Sequence, residues 1–339
     1  ADGAVRALAA MEDGVPTTRL GAFDGVGSAV RTWLALYALS GRREELDRAI
    51  RHAERAAGLL AADTMLDVTA GAAGLIVPVL QLAQRTGDAA WFDVADAAAR
   101  HLADRAVVDG VGGGAGVTAY WPTQVFPQGI GGFAHGAAGI GWALARLGHA
   151  VGEQRWSDLA DAAFAFQETL YRPEVGNWLD RREAGQVLYL DSWCHGSTGV
   201  GLAAWDLYVR TGSAEQLDRA VRAAAGTWRT GFGWDYTLCH GDLGSWELVD
   251  AVLRGAPDAF RGAVGSGSGV GTGVEVTGAG LDAVVLSGVE SYGPLSAGVA
   301  HSATASLMPG SSGALYQLLR MRRVGRVEVP PSLLLVDGS

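Results

Sequence analysis

The chain has 339 residues, 49% of them hydrophobic and 18% charged, so it has apolar surface for a large core and too little charge for general disorder. Its formal net charge of −10 argues against sequence-independent nucleic-acid binding, which needs a basic surface. No basic-then-apolar signal segment is present, and no apolar run approaches the roughly twenty residues that cross a bilayer. We therefore expect a cytoplasmic protein with no transmembrane segment and no nucleic-acid partner.

Two kinds of helix alternate along the chain. After a helical lead-in over residues 1–20, an apolar helix is predicted up to Leu39, and an amphipathic helix follows over 42–62. The same succession begins again at residues 67, 135 and 195, and further apolar helices begin near residues 240 and 310. Each apolar helix follows a glycine-containing turn, and the first glycines of these turns are Gly25, Gly71, Gly136, Gly196, Gly241 and Gly310.

This repetition predicts an all-α architecture. Apolar helices belong inside and amphipathic helices outside, so six repeats indicate two concentric rings of helices. Such a ring would place every Gly-x-x-Gly turn at the same end. His52 and His101, which lie in the predicted outer helices, are expected to face solvent.

Two regions interrupt the pattern. Residues 108–132 are rich in glycine and proline and are predicted to form a long loop or a hairpin. Residues 263–298 contain a Gly-Ser-rich run where an outer helix is expected, and the sequence leaves open a flexible segment or a short β insertion.

The only two cysteines occur in matching Cys-His-Gly-x-x-Gly motifs, at Cys194-His195-Gly196 and Cys239-His240-Gly241. A single disulfide is the alternative explanation, and the matching motifs argue against it. Zn²⁺ favours thiolate and imidazole ligands, so we predict one zinc ion per chain held by Cys194, Cys239 and His240. Three protein ligands leave a fourth position open, which suits activation of an external thiol, with activation of water as the alternative.

Three further residues are candidates for the site. His135 repeats the His-Gly-x-x-Gly motif without a cysteine, and could act as a general acid/base, as a fourth ligand or as a helix cap. Asp67 holds the equivalent place in the second repeat, where it could orient a histidine or simply cap a helix. His195 could line the site.

These motifs resemble those of the LanC-like lanthipeptide cyclases, and more closely the C-terminal cyclase domain of the class II lanthionine synthetases, the LanM enzymes. Further similarity lies in the collinear segments Gly21-Ala22-Phe23, Asp67-Val68-Thr69-Ala70-Gly71, Pro173-Glu174-Val175-Gly176-Asn177-Trp178 and Val329-Pro330-Pro331-Ser332-Leu333-Leu334-Leu335.

The resemblance covers nearly the whole chain and implies a single cyclase domain over 1–339 with an (α/α)6 barrel fold. It also implies zinc on Cys194, Cys239 and His240, with His135 as the acid/base and Asp67 near the site. The reaction it implies is an intramolecular Michael addition, in which a precursor-peptide cysteine adds to a dehydroalanine or dehydrobutyrine to form a lanthionine or methyllanthionine ring.

The partner implied is a dehydrated precursor peptide, consisting of leader and core. The 339 residues leave no room for the dehydratase domain of a class II synthetase, so dehydration is expected from a separate or fused enzyme. Two other hypotheses remain. One is a LanC-like enzyme that adds a small thiol such as glutathione to dehydroamino acids, and the other is a non-catalytic zinc-containing scaffold that binds peptides.

Overall fold

The computed structural model describes residues 2–14, 17–110, 116–182, 187–265, 274–293 and 304–322. The Gly-Ser-rich run at 266–273, His301 and the closing motif at 329–335 lie outside these ranges. By its internal contacts the chain divides into two compact units, Ala1–Leu102 and Ala103–Ser339. The single cyclase domain over 1–339 remains a prediction.

The helices of the first unit are α1 (Asp2–Gly14), α2 (Val26–Ser40), α3 (Arg43–Leu60), α4 (Ala73–Thr86) and α5 (Ala90–Ala103). They pair as the sequence predicts, with α2 packed on α3 and on α4. The glycine turns that precede α2 and α4 are joined, because the amide groups of Phe23 and Asp24 both donate to the carbonyl oxygen of Thr69.

The second unit adds eight helices and five short strands within the described ranges. The helices are α6 (Ala137–Val151), α7 (Gln154–Thr169), α8 (Ser197–Thr211), α9 (Ala214–Thr230), α10 (Asp242–Gly255), α11 (Pro257–Val264), α12 (Gly278–Tyr292) and α13 (Ser311–Arg322). The strands are β1 (Val107–Asp109), β2 (Thr118–Tyr120), β3 (Tyr171–Arg172), β4 (Asn177–Asp180) and β5 (Leu188–Tyr189).

The strands form two small antiparallel sheets. One is the hairpin β1–β2, in which Val108 lies opposite Ala119, and it confirms the hairpin alternative for 108–132. The other has the order β3–β4–β5, with Leu179 opposite Tyr189. This second sheet leads directly into the motif around Cys194.

The alternation of helix types is present in both units. Helices α4, α6 and α8, which follow glycine turns, are buried over most of their length, whereas α3 and α9 carry polar outer faces. Burial of the apolar helices removes their side chains from water, which stabilises the fold by about 25 cal/mol per Å² of apolar surface. None of the helices in the described ranges has the length and apolar content needed to span a bilayer.

Two sequence predictions are corrected. Residues 278–292 form a helix rather than an irregular or β segment, because Leu281 and Val285 are fully buried and Thr277 caps the helix by accepting a hydrogen bond from the Gly280 amide at 3.0 Å. His101 is buried rather than solvated, and its Nε2 lies 3.1 Å from the carbonyl oxygen of Asp63.

A buried charge cluster joins α6 to α8. Asp206 accepts hydrogen bonds from Trp142 Nε1 at 2.8 Å, from Arg146 at 3.1 Å and from Arg210 at 3.0 Å. The side chains of Asp206 and Arg146 are only 4% and 6% exposed. Their charges are therefore compensated by each other rather than by water.

We expect Asp206→Asn to lower the free energy of unfolding by about 3 kcal/mol, because it replaces the buried carboxylate that Arg146 and Arg210 bind with a neutral amide. Urea unfolding followed by circular dichroism measures this loss. The control is Asp218→Asn, which breaks an exposed ion pair with Arg222 and should cost no more than about 1 kcal/mol. Equal losses for the two variants would contradict the prediction.

Candidate metal centre

The glycine turns of the second unit are linked to one another by backbone hydrogen bonds. The Ala134 amide donates to the Cys194 carbonyl at 3.1 Å, and the Cys194 amide donates to the Cys239 carbonyl at 3.3 Å. The Cys239 amide in turn donates to the Met308 carbonyl at 3.1 Å. Equivalent positions of successive turns therefore lie side by side, which brings the two cysteines together although forty-five residues separate them in sequence.

The first cysteine lies on a tight turn that precedes α8. Asp191 and Gly196 form an isolated antiparallel bridge, and the Ser192 amide donates to the His195 carbonyl at 3.2 Å. Gly196 has a φ of 100°, and a Cβ there would lie 1.5 Å from the Leu190 carbonyl oxygen. Only glycine permits this close approach, so the glycine after Cys-His is a backbone requirement of the turn.

The second cysteine lies on the turn that precedes α10. The Thr237 side-chain oxygen accepts a hydrogen bond from the His240 amide at 3.3 Å, and the Thr237 carbonyl accepts one from the Gly241 amide at 3.2 Å. These bonds hold Cys239 and His240, which are consecutive in sequence, on one tight turn. Such a turn is needed if the side chains of two adjacent residues are to reach the same ion.

Cys194, Cys239 and His240 converge. The two sulfurs and one ring nitrogen of His240 all lie within 4.8 Å of one another. Among the described residues this is the one group of three such side chains close enough to share a metal ion. Two sulfurs bound to a tetrahedral zinc lie about 3.8 Å apart, from a Zn–S length of about 2.3 Å. The spacing and the soft donor set therefore fit zinc, and both cysteines are free thiols rather than a disulfide.

The three ligand side chains also interact with one another. A hydrogen bond from the Cys239 thiol, assisted by one from His240, holds the pKa of Cys194 well below its usual range despite burial. The same bond to Cys194, with burial, raises the pKa of Cys239. The separate hydrogen bond between His240 and Cys194 raises the pKa of His240. The cluster is therefore arranged to stabilise a negatively charged sulfur.

Two further histidines lie beside this cluster, His195 on the Cys194 turn itself and His135 on the turn next to it. Their ring centroids are 5.6 Å apart, and His135 is half-buried whereas His195 is only 2% exposed. Burial lowers the pKa of His195 to about 4, so this imidazole is neutral at pH 7. His135, the more accessible of the two, is better placed to exchange a proton with a substrate.

Asp67 lies in the first unit. Its side chain is buried, and Oδ1 accepts hydrogen bonds from the Ala70 amide at 2.7 Å and the Gly71 amide at 3.2 Å. These bonds close the turn that precedes α4, but Asp67 does not cap the helix, because the N-cap residue of α4 is Ala72. A role for Asp67 near the metal ligands stays a prediction.

Sequence reasoning missed an ion pair next to the site. Arg182 binds Asp180 at 2.7 Å. Burial is the main cause of the lowered pKa of His195, and the positive charge of Arg182 adds to it, whereas the same charge opposes the rise in the pKa of Cys239. No signal identified this pair, because Asp180 and Arg182 lie outside the repeated motifs and reach the site only through the β3–β4–β5 sheet.

Comparison with known proteins identifies the family of this chain. The family described as Lanthionine synthetase C-like protein matches residues 2–256. The chain belongs to this family. Comparison with curated proteins gave no match.

Among solved structures, this LanC-like protein is similar to nisin cyclase, with a TM-score of 0.65 and 17% identity over 97% of this chain and 82% of the other. It is also similar to the Lin0763 protein from Listeria innocua, with a TM-score of 0.51 and 18% identity over 70% of each chain. At these identities the likeness shows the fold, and the predicted all-α fold class of the LanC-like cyclases is confirmed.

The family match ends at residue 256, before the turn that supplies Met308. That last turn, residues 304–310, has neither cysteine nor histidine. The Met308 carbonyl nevertheless accepts hydrogen bonds from both the Leu238 and Cys239 amides at 3.1 Å. The sixth repeat of this LanC-like protein thus supports the turn that carries Cys239 through backbone hydrogen bonds.

Proposed function

We propose that this LanC-like protein is a zinc-dependent lanthipeptide cyclase. The observation that carries the proposal is the convergence of Cys194, Cys239 and His240 within 4.8 Å, next to the turn that carries His135. Family membership supports the same reaction class. Zinc held by these three residues would lower the pKa of a coordinated substrate thiol, so that the thiol reacts as a thiolate near neutral pH.

In the proposed reaction, a precursor-peptide cysteine loses its thiol proton and its sulfur forms a bond to the β-carbon of a dehydroalanine or dehydrobutyrine. The C=C π bond breaks, and the α-carbon takes up a proton to complete the thioether ring. No oxidant or reductant is needed. His135 is the group that we assign to proton transfer, and the neutral His195 lines the site beside it.

The substrate that follows from this reaction is a dehydrated precursor peptide, leader and core together. A dehydratase must act first, because nothing in the proposed site removes water from serine or threonine. The two free thiols are consistent with the reducing cytoplasm that we propose as the location.

The test uses the full chain loaded with zinc and a synthetic peptide that contains one cysteine and one dehydroalanine. Ring closure leaves the peptide mass unchanged, so it is followed as the loss of a thiol that iodoacetamide can alkylate. We expect thiol loss at least a hundredfold faster than without protein, since acid/base groups alone contribute about 10²–10⁴-fold.

In a parallel reaction, the protein is incubated with glutathione and a peptide that contains dehydroalanine and no cysteine. Addition of glutathione without ring closure in the first reaction would favour the small-thiol hypothesis instead. Tight binding of zinc with neither reaction would favour the peptide-binding scaffold.

A further inference from the structure

Asp191 lies three residues before Cys194 and takes no part in the proposed chemistry. Its carboxylate nevertheless accepts hydrogen bonds from three different elements. Oδ1 accepts from the Ser197 hydroxyl, at the start of α8, and from Asn177 Nδ2 of β4 at 3.0 Å. Oδ2 accepts from the Thr230 hydroxyl of α9 at 2.7 Å.

The backbone of Asp191 is held as well. Its carbonyl oxygen accepts hydrogen bonds from the Thr198 hydroxyl of α8 and the Ser245 hydroxyl of α10, each at 3.1 Å. Helix α10 begins two residues after the ligand His240. Asp191 thus connects the turn that carries Cys194 to the helix that follows Cys239 and His240.

This arrangement matters because metal binding requires ligand distances correct to about 0.2 Å. The turn at 191–196 contains few hydrogen bonds of its own, so its position depends on what surrounds it. We propose that Asp191 is a positioning residue that sets the place of Cys194 relative to Cys239 and His240. The inference rests on the proposed function, since it concerns the same zinc site.

Asp206 provides an internal comparison. It is also a carboxylate with three donors, but it lies within α8, whereas Asp191 lies on the turn before that helix. Asp206 comes nine residues after Ser197 and so lies about 13.5 Å further along the helix. If Asp191 only stabilised the fold, the loss of either carboxylate would have the same kind of effect. If Asp191 positions Cys194, only its loss changes the metal site.

The experiment measures zinc affinity by competition with a chelator and records the absorption spectrum of the Co²⁺-loaded protein, both well below the unfolding temperature. We expect Asp191→Ala to weaken zinc binding at least about tenfold, as loss of outer-shell partners does, and to alter the thiolate-to-cobalt bands. Asp206→Asn should lower the urea midpoint and leave both metal readouts unchanged.

Two milder variants keep the test decisive if Asp191→Ala does not fold. Thr230→Val removes one donor at an exposed position and should weaken zinc binding about fivefold. Asp191→Asn should stay within about threefold of the wild type, because its oxygen can still accept from Ser197 and Asn177 while its amide donates to the Thr230 hydroxyl.

A metal-free readout separates this inference from the proposed function. In the zinc-free protein, Asp191→Ala should speed the alkylation of Cys194 at least about threefold relative to Cys239, because the turn opens more often. Wild-type metal affinity and alkylation rates in Asp191→Ala and Thr230→Val would overturn the inference, as would equal losses of metal affinity in Asp191→Ala and Asp206→Asn. A wild-type chain that binds no zinc would instead contradict the proposed function, and the alkylation result would still decide the role of Asp191.

Discussion

Cys239→Ala should reduce bound zinc from about one ion per chain to less than about a tenth of that, and ring closure should be lost with it. The variant removes one of three proposed protein ligands. With only Cys194 and His240 left, water would fill the other positions around zinc and the ion would be bound weakly. It also removes the thiol whose hydrogen bond stabilises the Cys194 thiolate. Elemental analysis of the purified variant beside the wild type measures the loss directly.

Cys194→Ala is the companion variant and should behave in the same way. Both are checked for folding by circular dichroism, because the cysteines are half-buried and each truncation also removes packing. Stoichiometric zinc in both folded variants would show that the metal is held elsewhere, and the proposed ligand set would then be wrong.

His135→Asn should have the opposite pattern, with zinc retained and ring closure slowed by about 10²–10⁴-fold. His135 lies on the turn next to Cys194 but outside the ligand cluster, so its imidazole can transfer a proton without binding the ion. Asparagine keeps a similar polar side chain and cannot act as an acid or base near neutral pH. Zinc content and single-turnover rates on the dehydrated peptide separate the two effects.

The matched control is His149→Asn, at the exposed end of α6, which should change neither zinc content nor rate. If His135→Asn loses zinc, then His135 is a fourth ligand, which the sequence left open. An unchanged rate in zinc-loaded His135→Asn would remove the residue from the chemistry.

Much of the helical pattern could be predicted from local sequence. The amphipathic spacing over 42–62 corresponds to α3 at Arg43–Leu60, and the glycine turns begin α6 and α8 where expected. These features depend on hydrophobic periodicity and on glycine, both of which act within a few residues.

The errors occurred where distant contacts outweigh local composition. Residues 278–292 look poor in helix signals, yet burial of Leu281 and Val285 and the bond from Trp246 Nε1 to Asp282 at 2.8 Å stabilise α12. His101 is expected to face solvent because it lies in a predicted outer helix, whereas its ring lies against the Asp63 carbonyl. Neither partner can be inferred from the residues around the position.

The donor atoms of the candidate site are evident from local sequence, because the two Cys-His-Gly motifs supply two thiols and two imidazoles on glycine turns. The arrangement of these atoms in space depends on how the helices pack. Backbone hydrogen bonds between turns place Ala134 against Cys194, Cys194 against Cys239 and Cys239 against Met308. The two histidines differ in burial, since His195 is buried and neutral whereas His135 is more accessible. Asp191 accepts hydrogen bonds from side chains of β4 and of three helices. Such contacts join residues far apart in the chain, so their geometry exists only once the helices have packed.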